Sequence, residues 1–394
     1  MAAHPRYAPD FRIQINDQDV PQGLRASIQS VRFQEGWDAS NRVEIGIANT
    51  NLRWLQTHIR GLGFQPFPTG VRIGPMNGPQ AAPDGTFDIQ NKVTLALGYA
   101  PDPLDPVFTG EITGVQASFP NGGMPAMTVV AQDYLNRLAT GAYSRGFGFL
   151  PDFLIAAILS AENLLIPLVD PTVIGASTAI AVLNVLFTGT GRKQKGQTDL
   201  QVLEEIAATY DADFWVEGNV LYVSRFMKSY SPSVTLTYGE SLLDFAPRVS
   251  TIGQVAGVSM RFVLREIPLD FLVTIFWDFD TERLGVSIVP GAAAASLKSL
   301  VGSVFEIIDQ PINSPADIVN SALVITRELR NKLNKRLTGS GSSIGDTRIR
   351  AGAVLRLEGL GPDFSGDYRV SAATHTIDSG GYRTSFEVRK EILP

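Results

Sequence analysis

The chain has 394 residues, 44% hydrophobic and 18% charged, which is too long for one ordinary core and calls for two or three domains. A net charge of -6 leaves no electrostatic footprint for nucleic acid, and zero cysteines exclude disulfides, cysteine-ligated zinc and iron–sulfur clusters. With 37 Gly and 24 Pro the composition favours turns and strands over long helical bundles.

Residues 1–8 read as an N-terminal tail. No apolar segment follows the first charges, so no signal peptide is expected. Residues 9–140 read as an all-β unit: Phe11–Ile15, Val43–Ile47, Val93–Leu97 and Met127–Ala131 each alternate apolar and polar residues. Between Trp54 and Asn91 runs a long Pro- and Gly-rich loop that still carries aromatic residues. A lone β-unit gives such residues little to bury against, so Leu62, Phe64, Phe67 and Phe87 are the expected contacts with a neighbouring subunit or partner.

Residues 141–233 read as an α/β insertion. Its most apolar tract, Ile174–Phe187, is shorter than the roughly 20 residues that span a bilayer and is expected in a core. Thr198 and Gln201 form a capping box, and Phe214–Val216 and Val220–Val223 flank a turn. Residues 234–264 and 346–392 read as a second β-unit. Residues 265–345 interrupt it with strands, a helix from Ser314 to about Leu337 and a flexible Gly/Ser joint at Gly339–Gly345; Arg330, Lys332, Lys335 and Arg336 are expected at a solvated helix end.

One pattern links the two β-units. Phe108–Ala131 (FTGEITGVQASFPNGGMPAMTVVA) is echoed by Phe364–Val388 (FSGDYRVSAATHTIDSGGYRTSFEV): a Phe-[Thr/Ser]-Gly-[Asp/Glu] start, an alternating strand, a Gly-Gly turn and a second strand.

The chemical motifs fail their context tests. Gly341-Ser-Ser343-Ile-Gly345, with Asp363 or Asp367 and then His375, gives the residue order of an α/β-hydrolase triad, but no strand precedes the Ser and no helix follows it. Gly191–Gly196 approaches a phosphate loop with Gln197 where Lys is required, and reads as a solvated loop. Asp278, Asp280 and Glu282 alternate as on the wet face of a strand, and only His4, His58 and His375 are available as imidazole ligands. No catalytic residue, metal ligand or cofactor is assigned.

Tyr7-Ala-Pro-Asp-Phe-Arg12, Ala48-Asn-Thr-Asn-Leu-Arg-Trp54, Leu97-Gly-Tyr-Ala-Pro101, Val107-Phe-Thr-Gly-Glu-Ile-Thr-Gly114, Thr198-Asp-Leu200 with Phe214-Trp-Val216, Gly366-Asp-Tyr-Arg-Val370 and Gly381–Val388 resemble, in order and spacing, the phage late-control D family. These are baseplate hub proteins of contractile tails and extracellular contractile injection systems, similar to the hub part of type VI secretion spike proteins. The resemblance implies an α+β, mainly β fold with two tail-tube-like β-barrels per chain and inserted α/β and helical segments. It further implies a homotrimeric ring between a hexameric inner tube and a trimeric spike, with baseplate wedge components and cargo in the tube lumen as further partners. Assembly in the bacterial cytoplasm, no transmembrane segment and no enzymatic role are expected. The alternatives are a tail-tip hydrolase, esterase-like or acting on the cell wall, and a hexameric tube adaptor or terminator.

Overall fold

The computed structural model describes residues 8–37, 39–49, 86–188, 191–224, 231–249, 257–264, 269–278, 283–290, 305–309, 327, 329–330, 333–334 and 336–391. The first unit comprises β1 (Ala8–Ile15), β2 (Gln18–Asp19), α1 (Gln22–Arg25), β3 (Ile28–Gly36), β4 (Arg42–Ala48), β5 (Lys92–Ala100), β6 (Asp105–Ser118) and β7 (Ala126–Gln132). Alternation buries one row of each strand: Val31 and Phe33, Val43, Ile45 and Ile47, Val93, Leu95 and Leu97, and Met127, Val129 and Ala131 meet in one apolar cluster. The β1–β2 link needs left-handed backbone at Asn16 and Asp17, residue types that tolerate it.

The α/β insertion holds α2 (Leu135–Leu138), β8 (Tyr143–Gly148), α3 (Asp152–Glu162), β9 (Ile166–Val169), α4 (Pro171–Leu183), a π-helical turn over Asn184–Thr188, β10 (Arg192–Gln197), α5 (Asp199–Thr209), β11 (Asp213–Glu217) and β12 (Val220–Ser224). The expected capping box starts α5: the Gln201 amide donates to Thr198 Oγ1 at 3.2 Å, and the Thr198 amide to Gln201 Oε1 at 2.9 Å. Residues 192–197, expected as a loop, pair with β8 because Arg192 and Gln194 are anchored from the side, on Asp152 and Asp199. The apolar tract from Ile174 is only half core. Ile180 and Ala181 are buried, whereas Val182, Val185 and Leu186 face solvent, since the helix has apolar residues all round and a neighbour on one side. Among the described residues no helix is long and apolar enough to cross a membrane.

The remaining strands are β13 (Pro232–Thr237), β14 (Leu242–Val249), β15 (Gly257–Leu264), β16 (Leu269–Asp278), β17 (Arg283–Pro290), β18 (Phe305–Asp309), β19 (Leu337–Ile344), β20 (Val354–Glu358), β21 (Gly366–Asp378) and β22 (Gly381–Arg389). Two assignments change here. Residues 257–264 leave the second β-unit and join β16, β17 and β18 in a four-stranded sheet. The expected Gly/Ser joint is instead β19, paired with β14 on one side and β22 on the other. Close packing requires glycine at Gly341 in this strand and at Gly345 just after it: a Cβ at Gly341 would lie 2.6 Å from the Asp244 carbonyl oxygen, and one at Gly345 2.1 Å from the Tyr382 ring. Most of the helix expected from Ser314 lies outside the described residues. Arg330, expected in solvent, pairs instead with buried Asp211 at 2.7 Å and ties this segment to the end of α5.

The mainly β, α+β class holds. Thirteen strands form one sheet along the path β14-β19-β22-β21-β3-β4-β7-β6-β5-β1-β2, with β20 on β21 and β13 on β20. This path contains one arrangement twice. The first unit runs β3-β4-β7-β6-β5-β1, and the second runs β14-β19-β22-β21-β20-β13 in the same chain order. Both echoed segments are hairpins, and each carries a bulge at a corresponding point, between Ile112 and Gly114 and between Val370 and Ala372. The copies differ at their last strand, which pairs antiparallel in the first unit and parallel in the second. No closed barrel is traced by these pairings among the described residues.

Candidate assembly interface

The two units meet where β3 lies antiparallel on the far half of β21, in register from Gly36 opposite Ala372 to Val31 opposite Ile377. The row Val31, Phe33 and Glu35 faces the row Ala373, His375 and Ile377, and all six are buried. Phe33 stacks on His375 with ring centroids 5.7 Å apart and touches Phe108 at 5.9 Å. Glu35, whose side chain is 3% exposed, accepts from Arg350 Nε at 2.7 Å and from the Ala351 amide at 2.8 Å. Arg350 also donates to the Val107 carbonyl at 3.1 Å and lies over the Phe33 ring. The Tyr99 hydroxyl donates to the Gly345 carbonyl at 3.0 Å, and Thr347 bonds to Asp105. Residues from β3, β5 and β6 thus hold the β19–β20 connection of the second unit. The apolar row could be read in the sequence; Arg350 opposite Glu35 could not, because 315 residues separate them.

The residues expected at a partner surface divide differently. Phe87 is 1% exposed inside the first unit's own cluster, so its side chain serves that core. Leu62, Phe64 and Phe67 lie outside the described residues, as do Asp280, Glu282, His4 and His58.

Ser343 and His375 lie in one row across β19, β22 and β21, each opposite Thr384. Both are fully buried. The Ser343 hydroxyl is 3.4 Å from the Thr384 carbonyl. His375 Nε2 donates to the Ile349 carbonyl at 3.0 Å, which leaves Nδ1 to accept from the Tyr382 hydroxyl at 2.9 Å. Thr384 therefore stands between the two residues of the triad motif, and the imidazole is spent on structural bonds. Burial pushes His375 down to about 4, so it is neutral across the physiological range. Among the described residues no group of three or more His, Cys, Asp or Glu could hold a metal ion.

The fold is that of phage tail proteins. It matches a 43 kDa tail protein of prophage MuSo2 from Shewanella oneidensis with a TM-score of 0.60 and 11% identity, over 97% of this chain and 98% of that one. A tail protein from Neisseria meningitidis MC58 matches with a TM-score of 0.59 and 10% identity, over 98% and 97%. A type VI secretion system component of E. coli, itself similar to bacteriophage T4 tail proteins, matches with a TM-score of 0.51 and 11% identity, over 97% and 80%. No protein-family model matches the sequence, and no curated protein matches it.

Two expected outcomes test the junction. Glu35→Ala leaves Arg350 partly buried without its carboxylate and the Ala351 amide without its acceptor, so urea denaturation should show a loss of about 3 kcal/mol. His375 has a folded pKa below the ordinary 6.5, so its contribution is complete above about pH 6.5 and is lost as pH falls through about 4. The wild-type protein should therefore lose up to about 3 kcal/mol over that window, and His375→Gln should show a shallower loss in the same titration.

Proposed function

We propose that the chain is the structural hub of a contractile tail or contractile injection system: a homotrimeric ring that joins a hexameric inner tube to a trimeric spike. The observation that carries this is the doubled six-strand unit within one chain. Three such chains present six similar units to a six-fold tube while every feature that occurs once per chain keeps three-fold spacing for the spike. The match over nearly full length to two phage tail proteins, and to a type VI secretion component, supports the same reading. Baseplate wedge proteins are the partners proposed at the periphery, and cargo in the lumen. Assembly takes place in the bacterial cytoplasm, and the finished particle carries the protein in its baseplate.

The hub has no enzymatic role in this reading. Buried Ser343 and His375, held apart by Thr384, give the hydrolase alternative no reactive pair.

Light scattering on the purified full-length chain should give a mass of three copies, with no ester or peptidoglycan hydrolysis beyond background. A stable assembly of two copies would overturn the hub reading, and one of six would favour a tube adaptor. Hydrolysis abolished by His375→Ala would add a catalytic role.

A further inference from the structure

Duplication makes the junction inside the chain a template for a junction between chains. With the two units aligned on their bulges, at Thr113 and Ser371, the strand registers carry β21 onto β6 and β3 onto β14. In the internal junction the first unit's β3 covers the far half of the second unit's β21. The counterpart surfaces are the outer edge of β14 and the far half of β6, on its side away from β7. No described strand pairs with either. An edge strand left in this state invites another strand.

The alignment also sets the partners. Glu35 opposite Ala373, Phe33 opposite His375 and Val31 opposite Ile377 become Val249 opposite Val115, Pro247 opposite Ala117 and Phe245 opposite Phe119. Both rows are apolar throughout. The intervening residues, Arg248 opposite Gln116 and Ala246 opposite Ser118, are exposed, as the outer row of a one-sided sheet should be. Val249 is 56% exposed and Phe119 61% exposed in the single chain, which is costly surface for large apolar residues unless something covers it. Pro247 removes one N–H donor from β14, a device that blunts an edge against indiscriminate pairing while leaving side-chain complementarity to select the partner.

We infer that β14 of one copy adds antiparallel to the Gly114–Phe119 segment of a second copy, with Val249, Pro247 and Phe245 against Val115, Ala117 and Phe119, so that the sheet continues from chain to chain. The contact is head-to-tail: each copy offers one β14 and one β6, and a ring closes when the last β14 reaches the first β6. The inference rests on the hub reading only for the number of copies. The pairing itself rests on the internal junction.

The absence of native cysteine makes the register directly testable. Arg248→Cys with Gln116→Cys places two thiols at a paired position, where Cα atoms about 4.5–5.5 Å apart lie within the disulfide range. Mild oxidation of the assembled double variant should move most chains from the monomer band to covalent species of up to three chains on a non-reducing gel. Either single variant should not cross-link. Gln34→Cys with Thr374→Cys, the internal equivalent, should close within one chain and serves as the positive control. Val249→Lys, at a position exposed in the single chain, should keep the melting temperature of the monomer and weaken assembly by at least about tenfold.

A trimer by light scattering that forms no disulfide between chains, while the control closes, would overturn the pairing and leave the hub reading standing. Cross-linked assemblies with another copy number would uphold the pairing and overturn the trimer. A disulfide joining the two introduced thiols within a single monomer would show that the chain covers its own edge, and would also overturn the inference.

Discussion

The pairing of β3 with β21 is the constraint on which the rest of the molecule depends. Without it the two six-strand units would be held together only by the α/β insertion and by the side-chain bonds that β5 and β6 make to the β19–β20 connection. With it a strand edge that would otherwise be a hazard is buried inside the protein, and the relative placement of the copies is set by backbone register. Side chains reinforce the register from both directions. Phe33 fills the space beside His375, and Glu35 takes the charge of Arg350 along with one backbone amide. A slip of one residue would turn Phe33 and Glu35 to solvent and put Arg32 and Gln34 against the core.

His375 shows how a motif can mislead when read without its surroundings. In sequence it completes a Ser, Asp, His order; in the fold it bridges the Ile349 carbonyl and the Tyr382 hydroxyl under a cover of aromatic rings. The glycines that make the motif resemble a nucleophile elbow have another reason to be there. Phe245 and Phe386 lie over Gly341, and the Tyr382 ring lies over Gly345.

What the sequence made legible follows from the range over which each signal acts. Alternation at Val43–Ile47 or Met127–Ala131 is local and identified strands, and the repeated Phe-[Thr/Ser]-Gly start identified both hairpins. The strand Leu337–Ile344 escaped because Gly339, Ser340, Gly341, Ser342 and Ser343 carry no apolar alternation; the aromatic residues that stabilise it come from β14 and β22. The strand at Gly257 was recognisable as a strand but not as a member of a separate sheet, since sheet membership depends on partners far along the chain. Phe87 looked like an interface residue because its segment is rich in Pro and Gly, yet it follows the loop closely enough to enter the core beside β5. Arg330 looked solvated because its partner, Asp211, stands 119 residues away.

The two units agree in their strands and disagree in their connections. In the first, β3 reaches β4 through residues 37–41, while β4 reaches β5 only through residues 49–91. In the second the proportions reverse: residues 250–336 separate β14 from β19, and residues 345–353 suffice between β19 and β20. A surface built from these units in succession therefore carries two rulers. A partner that grips backbone along the strands counts every unit, whereas a partner that grips the connections counts every second one. Either connection can change in length without disturbing the finer ruler, because the strand registers do not pass through it.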